Sequence, residues 1–248
     1  MHKKHFAGAE AASRFIVGGK EGKKMNRPYC LCYMIMSLDG RIDCPMTEHL
    51  KGSEDYYPIL KTLDVPTLVS GRVTAELEMA KPGKFTPKGG EEIGKPSFKK
   101  NSCAEGYDVI VDSKGSLLWG EEQERPLIIL TSEKANVEYL SYLDSLGISW
   151  IAAGKDRVDL SPACSILKEE FHVERMAVVG GGNINAGFLK EGLLDEIVIL
   201  VGAGIDGRGS QVSVFDGLPD SFPLTQLSLK GAKALPSGAV LLSYKVDR

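Results

Sequence analysis

The sequence has no apolar run long enough to cross a bilayer, because its longest apolar stretches have the length of a β-strand. The amino terminus also lacks the sustained apolar core of a secretory signal, since Phe15-Ile16-Val17 is too short to provide one. Met25 could be the natural start of the protein. We therefore interpret residues 1–24 as a leader or disordered tail and residues 25–248 as a single domain of a cytoplasmic protein.

The sequence also lacks a recognisable metal or hydrolase motif. Five cysteines are an odd number in a chain without a secretory signal, which predicts reduced thiols. Cys30 and Cys32, with Cys44 and His49 nearby, could supply metal ligands, but the spacing of zinc sites is not met. On a strand, Cys30 and Cys32 would be core residues of one face. No Ser-His-Asp or Cys-His arrangement is legible, so we expect no metal and no hydrolase chemistry.

Positive charge is scarce outside the amino terminus. The chain has 30 Lys and Arg residues against 33 Asp and Glu residues, a net charge of −3. Residues 1–24 contain six Lys or Arg and two Asp or Glu, a net charge of +4, which leaves −7 for the remainder. A body that acidic is a poor general binder of nucleic acid. With 43% apolar and 25% charged residues, the chain has the composition of a globular protein that buries one substantial core.

Strand-like and helix-like patterns alternate from residue 29 to residue 201. Residues 225–230 and 239–246 then alternate apolar and polar side chains across Pro236-Ser237-Gly238, which predicts an antiparallel hairpin. The predicted fold class is therefore α/β. We expect three layers, with a mainly parallel mixed sheet, helices on both faces and a C-terminal antiparallel hairpin.

Three local predictions concern segments between the strands. Ser53 is expected to cap a helix that continues to about residue 63, and Ser161 to cap a helix at about residues 163–171. Residues 81–106 are rich in Lys, Gly and Pro, so we expect a long loop or lid there.

A glycine-rich stretch is the most informative motif. An apolar strand at residues 176–179 runs into Gly180, Gly181 and Gly182, and the helix pattern that follows contains Asn183, Ile184 and Asn185. A strand, a glycine turn and a helix N-terminus can bind phosphate through free N–H groups, although the same glycines can also form a bare turn. The stretch lacks the Gly-Lys-Ser/Thr ending of a P-loop and fits the dinucleotide fingerprint poorly.

Polar residues follow the other predicted strands. Ser37 and Asp39 come after the first strand, and Gly71 and Thr74 come after the second. Ser113 follows the next strand, and Thr131 with Ser132 follows the one after it. The carboxyl ends of parallel strands meet at the edge where ligands bind, so these side chains are candidate ligand contacts. They are equally suited to be ordinary turn formers and helix caps.

The ordered set of motifs resembles a known family. SLDGRI, GRVT, VIVDSKGSLLW, ILTS, VVGGGNINAGFL, GLLDEI and GAVLLSY occur in that order between residues 27 and 246. Together they are similar to the reductase domain of riboflavin biosynthesis, a member of the dihydrofolate-reductase-like superfamily. The resemblance implies an enzyme that binds NADPH and reduces a small heterocyclic substrate. In the riboflavin pathway, the phosphorylated ribosyl group of an aminopyrimidine is reduced to ribityl.

The resemblance also implies roles for single residues. Cofactor contacts would come from Gly71, Thr74, Ser113, Thr131, Ser132 and the glycine loop, which comprises Gly180, Gly181, Gly182, Asn183, Ile184 and Asn185. Substrate contacts would come from Ser37, Ser53 and Lys61. The catalytic candidates are Asp39 and Glu78, which would orient the substrate or relay a proton. We expect a β-branched residue at Gly181 or Gly182 to abolish cofactor binding and to leave the fold largely intact.

The sequence departs from the family pattern at the substrate. Val179 stands where the riboflavin enzymes commonly have Glu, and Lys61, Lys81 and Lys84 are the cations nearest to the expected phosphate-binding arginines. An NADPH-dependent oxidoreductase therefore competes with a nucleotide-binding paralogue without this activity, or with a related enzyme of different substrate. We expect a homodimer that binds a small molecule and neither nucleic acid nor a membrane.

Overall fold

The structure, a computed structural model, describes residues 26–248. The prediction for residues 1–24 lies outside the described residues. By its internal contacts the described chain divides into two compact units. The first unit comprises Cys30–Val65 and Ala177–Arg248, and the second comprises residues 26–29 and Pro66–Met176.

The secondary structure alternates as the sequence predicts. The strands are β1 (Tyr29–Met36), β2 (Thr67–Gly71), β3 (Ser97–Lys99), β4 (Asp108–Val111), β5 (Leu127–Thr131), β6 (Ser149–Ala152), β7 (Arg175–Gly180), β8 (Glu196–Val201), β9 (Leu227–Ala234) and β10 (Val240–Val246). The helices are α1 (Cys44–Thr47), α2 (Tyr56–Leu60), α3 (Arg72–Glu78), α4 (Val137–Ser145), α5 (Leu160–Glu169) and α6 (Gly182–Lys190). None of the helices in residues 26–248 is both long enough and apolar enough to cross a membrane.

The second unit contains a mixed sheet with the strand order β3-β6-β5-β4-β2. Strands β2, β4, β5 and β6 are mutually parallel, and β3 is antiparallel to β6. Every residue of β5 and β6 is buried, so both faces of the sheet are covered. On one face, Tyr139 and Leu143 of α4 pack with Ile129 and Trp150. Helix α5 also contacts β6, while its buried residues lie outside that cluster.

The first unit contains strands in the order β7-β1-β8-β10-β9. Strands β1 and β8 are parallel, whereas β10 is antiparallel to both β8 and β9. Cys30 and Cys32 are wholly buried in β1, as predicted. The predicted C-terminal hairpin is present, with a first strand that extends to Ala234. The predicted fold class, a mainly parallel mixed sheet with helices and a C-terminal antiparallel hairpin, is confirmed.

Two local predictions, the Ser53 cap and the Ser161 cap, were wrong. A short 3-10 turn (Ser53–Asp55) precedes α2, and Gly52, with φ +93°, is its N-cap residue. The Ser53 hydroxyl donates to the Glu48 carbonyl, so it does not cap a helix. Helix α5 is capped by Asp159, whose carboxylate accepts from Ser161 N at 3.2 Å. The Ser161 side chain is therefore not the cap.

Residues 81–106, predicted to form a long loop or lid, are mostly loop and pack on the rest of the second unit. The backbone N–H groups of Lys81 and Phe85 donate to Leu118 and Ser116 at 2.8 and 2.9 Å. The Phe85 ring stacks on Tyr142 with 5.2 Å between ring centroids. The segment also contains β3, which the sequence analysis missed. Backbone hydrogen bonds and an aromatic contact therefore hold part of this loop in place.

Candidate functional site

In the first unit, the turn after β1 is built around Asp39. Its Oδ1 accepts from the Ser37 hydroxyl at 2.6 Å and from the Asp206 N–H at 3.0 Å. Its Oδ2 accepts from the Gly207 N–H at 2.8 Å. Ser37 is wholly buried, and its hydroxyl oxygen also accepts from Arg41 N at 3.0 Å. The structure thus brings Ser37 and Asp39 together, and both hold the turn.

These hydrogen bonds limit what Asp39 can do chemically. The bond from Ser37, followed by those from the backbone of Asp206 and Gly207, holds the pKa of the Asp39 carboxyl well below its usual range. The group is therefore ionised at neutral pH and has no proton to give. Since Oδ1 already accepts two bonds, the open acceptor position is on Oδ2. Asp39 is suited to orient a donor group on a ligand rather than to act as a general acid.

Residues 205–217, which we call the clasp segment, connect the Asp39 turn to the rest of the first unit. Arg208 forms an ion pair with Asp206 and another with Asp43 at 2.9 Å. Arg41 donates from its guanidinium to the Gln211 carbonyl at 2.7 Å. The clasp segment contains the main hydrogen-bond partners of the Asp39 turn. Its role was not predicted, because a Gly-rich, polar stretch predicts only a loop.

The glycine loop lies at the other end of the clasp segment. Gly181 has φ +52° and ψ 142° and stands before the first residue of α6. The N–H groups of Ile184 and Asn185 both donate to the Gly181 carbonyl, at 2.9 and 3.1 Å. The N–H groups of Gly182 and Asn183 therefore lie before the first helical hydrogen bonds, where the helix dipole attracts an anion. The strand, glycine turn and helix predicted for phosphate binding are present.

The two central glycines have different surroundings. A Cβ at Gly181 would meet nothing within 4 Å, so the space beside this residue is open. A Cβ at Gly182 would stand 2.3 Å from the Ser213 carbonyl oxygen and 3.2 Å from Asp216 Oδ2. The expectation that Val at Gly182 leaves the fold largely intact was therefore wrong, because the clasp segment packs directly on that residue. An anion can approach the loop from the Gly181 side.

Asn185 helps to fix the position of the glycine loop. Its side chain is wholly buried and donates from Nδ2 to the Val214 carbonyl at 2.7 Å, which fastens α6 to the clasp segment. Its Oδ1 has no hydrogen-bond partner among the described residues. Ile184 is half-buried and Asn183 is exposed. Of the three residues after the glycines, Asn183 is the one whose side chain is open to a ligand.

The predicted substrate contacts Ser53 and Lys61 lie elsewhere in the first unit. Ser53 is in the 3-10 turn, and the exposed Lys61 directly follows α2. Within residues 26–248, neither is hydrogen-bonded to Asp39. Ser53 and Lys61 are therefore not part of the hydrogen-bond network around Asp39.

In the second unit, Gly71 ends β2 in an extended conformation and Thr74 lies in the first turn of α3, half-exposed. Glu78 is exposed at the last residue of the same helix. Residues four apart on a helix share a face, so Thr74 and Glu78 are neighbours on α3. Both are accessible to a ligand.

Hydrogen bonds of hydroxyl groups hold together the loops that follow β4 and β5. The Ser113 carbonyl accepts from the hydroxyls of Thr131 and Ser132 at 3.3 and 2.8 Å. The Ser113 hydroxyl oxygen accepts from the Val158 N–H at 3.1 Å. Thr131 and Ser132 are wholly buried, so their side chains support the Ser113 loop from the interior of the unit.

A cationic residue is adjacent in sequence to each partner of the Ser113–Val158 hydrogen bond. Lys114 follows Ser113, Arg157 precedes Val158, and both are exposed. Within the described chain, neither forms a salt bridge, whereas Lys134 pairs with Asp156 at 2.5 Å. In the sequence 43 positions separate Lys114 from Arg157, and no local pattern joins them. This pair of cations can bind a phosphate group.

Comparison with protein-family models identifies the family of the chain. A family model described as the RibD C-terminal domain matches residues 28–241. The chain belongs to the RibD C-terminal domain family. The predicted resemblance to the riboflavin reductase domain is thereby confirmed.

Solved structures share this fold at low sequence identity. A pyrimidine reductase-like protein of Corynebacterium diphtheriae has a TM-score of 0.71 at 19% identity, covering 96% of this chain and 99% of that chain. The riboflavin biosynthesis reductase of Saccharomyces cerevisiae has a TM-score of 0.57 at 17% identity, covering 92% and 93%. RibD of Acinetobacter baumannii has a TM-score of 0.61 at 15% identity. That match covers 90% of this chain and 59% of RibD, so this RibD family member spans little more than half of that protein.

Proposed function

We propose that the protein is an NADPH-dependent reductase of the riboflavin pathway. Its substrate would be a 5-amino-6-(5-phosphoribosylamino)uracil-type pyrimidine, whose ribosyl group is reduced to ribityl. One observation carries the proposal: a RibD-family chain presents a glycine loop with an open side at Gly181 and N–H groups at a helix N-terminus. That geometry suits the diphosphate of a dinucleotide. Bound NADPH would supply the hydride for the ribosyl carbon.

The chain's own residues would have distinct tasks. Gly180, Gly181, Gly182 and Asn183 would hold the diphosphate through backbone N–H groups, with Ile184 and Asn185 fixing the helix behind them. Gly71, Thr74 and Ser113 would contact other parts of the cofactor, and the buried Thr131 and Ser132 would hold the Ser113 loop in place. Positioning the two reactants in contact accounts for most of the rate enhancement that such a site can provide.

We assign different roles to the two catalytic candidates. Asp39 is fixed by three hydrogen bonds and ionised, so it would accept a hydrogen bond from the substrate. In the ring-opened form of the ribosylamino group C1′ is an imine carbon, so reduction adds a hydride to C1′ and a proton to the nitrogen. The exposed Glu78 is the proposed relay for that proton. Ser37 would act through Asp39, while Ser53 and Lys61 remain proposed contacts for the more distant, phosphorylated part of the substrate.

The proposed preference for NADPH over NADH rests on Lys114 and Arg157. The two nucleotides differ only in the 2′-phosphate, and both cations stand exposed beside the Ser113–Val158 hydrogen bond. Charge-assisted hydrogen bonds to a phosphate are about twice as strong as neutral ones. We propose that this pair recognises the 2′-phosphate.

A nucleotide-binding paralogue without this activity is the second candidate. Val179, at the end of β7, stands where the riboflavin enzymes commonly carry Glu. An apolar side chain there cannot hydrogen-bond a sugar hydroxyl. We also propose that the protein is a homodimer, as the family resemblance implies, and that it is cytoplasmic, with which its five free cysteines agree.

NADPH binding is expected to raise the melting temperature. A ligand that binds only the folded state at a hundredfold excess over its Kd stabilises a protein by about 2.7 kcal/mol. For a chain of this size that corresponds to a shift of roughly 5–10 °C. Differential scanning fluorimetry with NADPH, and with ATP as an anionic control, measures it. An unchanged melting temperature at millimolar NADPH and NADH would remove the basis of the proposal.

A further inference from the structure

One side of the glycine loop is held by residues 213–216 of the clasp segment, which we call the clasp turn. The Asp216 N–H donates to the Gly182 carbonyl at 3.2 Å. The Val214 carbonyl accepts from the side chain of the wholly buried Asn185 at 2.7 Å. These two hydrogen bonds attach the clasp turn to the loop and to the first turn of α6, so the position of the loop depends on the shape of the clasp turn.

The side chain of Asp216 closes the clasp turn. Its Oδ2 accepts from the Ser213 N–H and its Oδ1 accepts from the Ser213 hydroxyl, both at 2.7 Å. The Ser213 carbonyl oxygen in turn packs on the loop, since it would lie 2.3 Å from a Cβ at Gly182. The Asp216 carboxylate therefore fixes the residue that forms the wall of the loop on this side.

The surroundings of Asp216 do not suit direct contact with a diphosphate. Both of its carboxylate oxygens already accept a hydrogen bond from Ser213, and a negative charge in contact with a phosphate group would repel it. The open side of the loop is at Gly181, whereas Asp216 lies on the side of Gly182. An effect of Asp216 on a bound anion would therefore act through the backbone of the loop.

We propose that Asp216 is a positioning residue for the glycine loop. By closing the clasp turn it holds the N–H groups of Gly182 and Asn183 in the direction from which an anion approaches, and this role rests on the cofactor site proposed above. Donors that are already held in place lose less entropy when a ligand binds. The next residue, Gly217, supports the same arrangement, because its missing side chain leaves room for the Asn183 amide, whose Oδ1 would lie 2.4 Å from a Cβ there.

Two substitutions at Asp216 separate its hydrogen bonds from its charge. In Asp216→Asn the amide oxygen can accept from the Ser213 N–H, and the amide nitrogen can donate to the Ser213 hydroxyl oxygen. The hydroxyl proton then goes to the Phe215 carbonyl, which is 3.0 Å away. Asp216→Asn therefore keeps the clasp turn closed and removes the charge, whereas Asp216→Ala removes both hydrogen bonds.

Calorimetric titration of the full chain with NADPH and with NADH measures the effect on binding. Asp216→Ala should weaken both nucleotides by about tenfold, the equivalent of one hydrogen bond to the diphosphate that they share. Asp216→Asn should stay within about threefold of wild type, because its hydrogen bonds are retained. Asp247→Ala is the matched control, since the exposed Asp247 also accepts from a serine hydroxyl, that of Ser228 at 2.8 Å. It should bind both nucleotides as wild type does.

Amide hydrogen exchange, followed by NMR without nucleotide, measures the positioning itself. The N–H groups of Ile184 and Asn185 donate to the Gly181 carbonyl. In Asp216→Ala both should exchange about fivefold faster, because the loop that accepts their hydrogen bonds has lost its support. In Asp216→Asn they should exchange at the wild-type rate. The N–H of Glu191, at the other end of α6, should be unchanged in every variant.

Wild-type exchange rates or wild-type affinities in Asp216→Ala would overturn the positioning role. Equal losses in Asp216→Asn and Asp216→Ala would also overturn it, because the charge and not the closed turn would then be responsible. Ser213→Ala removes only the hydroxyl bond and should change rates and affinities in the same direction, so it supplies the measurement if Asp216→Ala does not fold. A wild-type protein that binds neither nucleotide but shows the expected exchange rates would overturn the proposed function, while Asp216 would still position the loop.

Discussion

Gly181→Val is expected to weaken NADPH binding by about two to four decades while the protein remains folded. Gly181 has φ +52° and open space around it, so a Val side chain would project into the approach to the loop instead of into the core. Losing two charge-assisted hydrogen bonds to the diphosphate, at about 1.5–3 kcal/mol each, gives that loss of affinity. Isothermal titration calorimetry of the folded variant measures it.

Gly192→Val is the matched control. Gly192 follows the other end of α6, has φ +64° and also has nothing within 4 Å of an added Cβ. Both variants place Val at a positive φ with open space around it, and they differ in whether the loop is altered. Wild-type affinity in a folded Gly181→Val protein would mean that the glycines form a bare turn. Gly182 is unsuitable for this experiment because Ser213 occupies the space a side chain would need.

Removal of both Lys114 and Arg157 side chains is expected to reduce NADPH affinity by about 10- to 100-fold and to leave NADH affinity unchanged. Exposed ionic contacts are weakened by solvent, so each is counted at about 0.7–1.4 kcal/mol. Only NADPH carries the 2′-phosphate, so the ratio of the two Kd values isolates this group. Calorimetric titration of Lys114→Ala/Arg157→Ala with each nucleotide, at one fixed ionic strength, measures the ratio.

Arg125→Ala controls for the general loss of positive charge. Arg125 lies at the amino end of β5 and is 3.7 Å from Asp108 at the start of β4, so it stands at the opposite sheet edge from Ser113. It should leave both affinities unchanged. An equal loss of NADPH and NADH binding in the double variant would show that the cations act on some other part of the nucleotide. Unchanged NADPH binding would remove them from the site.

The fold was predictable because its signals are local. Apolar runs such as β1 and β5, the glycine turn before α6 and the alternation in β10 each depend on neighbouring residues, and all were predicted. Residues 81–96 were predicted to be a loop, but the contacts that hold this loop were not predictable, because Ser116 and Leu118 lie more than 30 positions away. Lys, Gly and Pro content indicates a loop and does not identify its partners.

In the candidate site, too, the local turns were predictable and their distant contacts were not. Gly181 and Asp39 stand in recognisable turns, so the sequence analysis found them. The surroundings that define their roles are distant in sequence: Asp206 and Gly207 for Asp39, and Ser213 for Gly182. Arg157 was missed because it joins Lys114 only through the Ser113–Val158 bond. A sequence motif thus identifies a turn, whereas its chemistry depends on the segment that folds back on it.

Transfer of deuterium from labelled NADPH tests the central claim most directly. The protein would be incubated with NADPH carrying deuterium on either face of the nicotinamide C4 and with the phosphoribosylamino-pyrimidine, and the products analysed by mass spectrometry. We expect one of the two labelled cofactors to yield a ribityl product that contains a single deuterium, with one NADP⁺ formed per product. Bound NADPH that is not consumed, and a pyrimidine that gains no deuterium from either form, would contradict the proposed reduction.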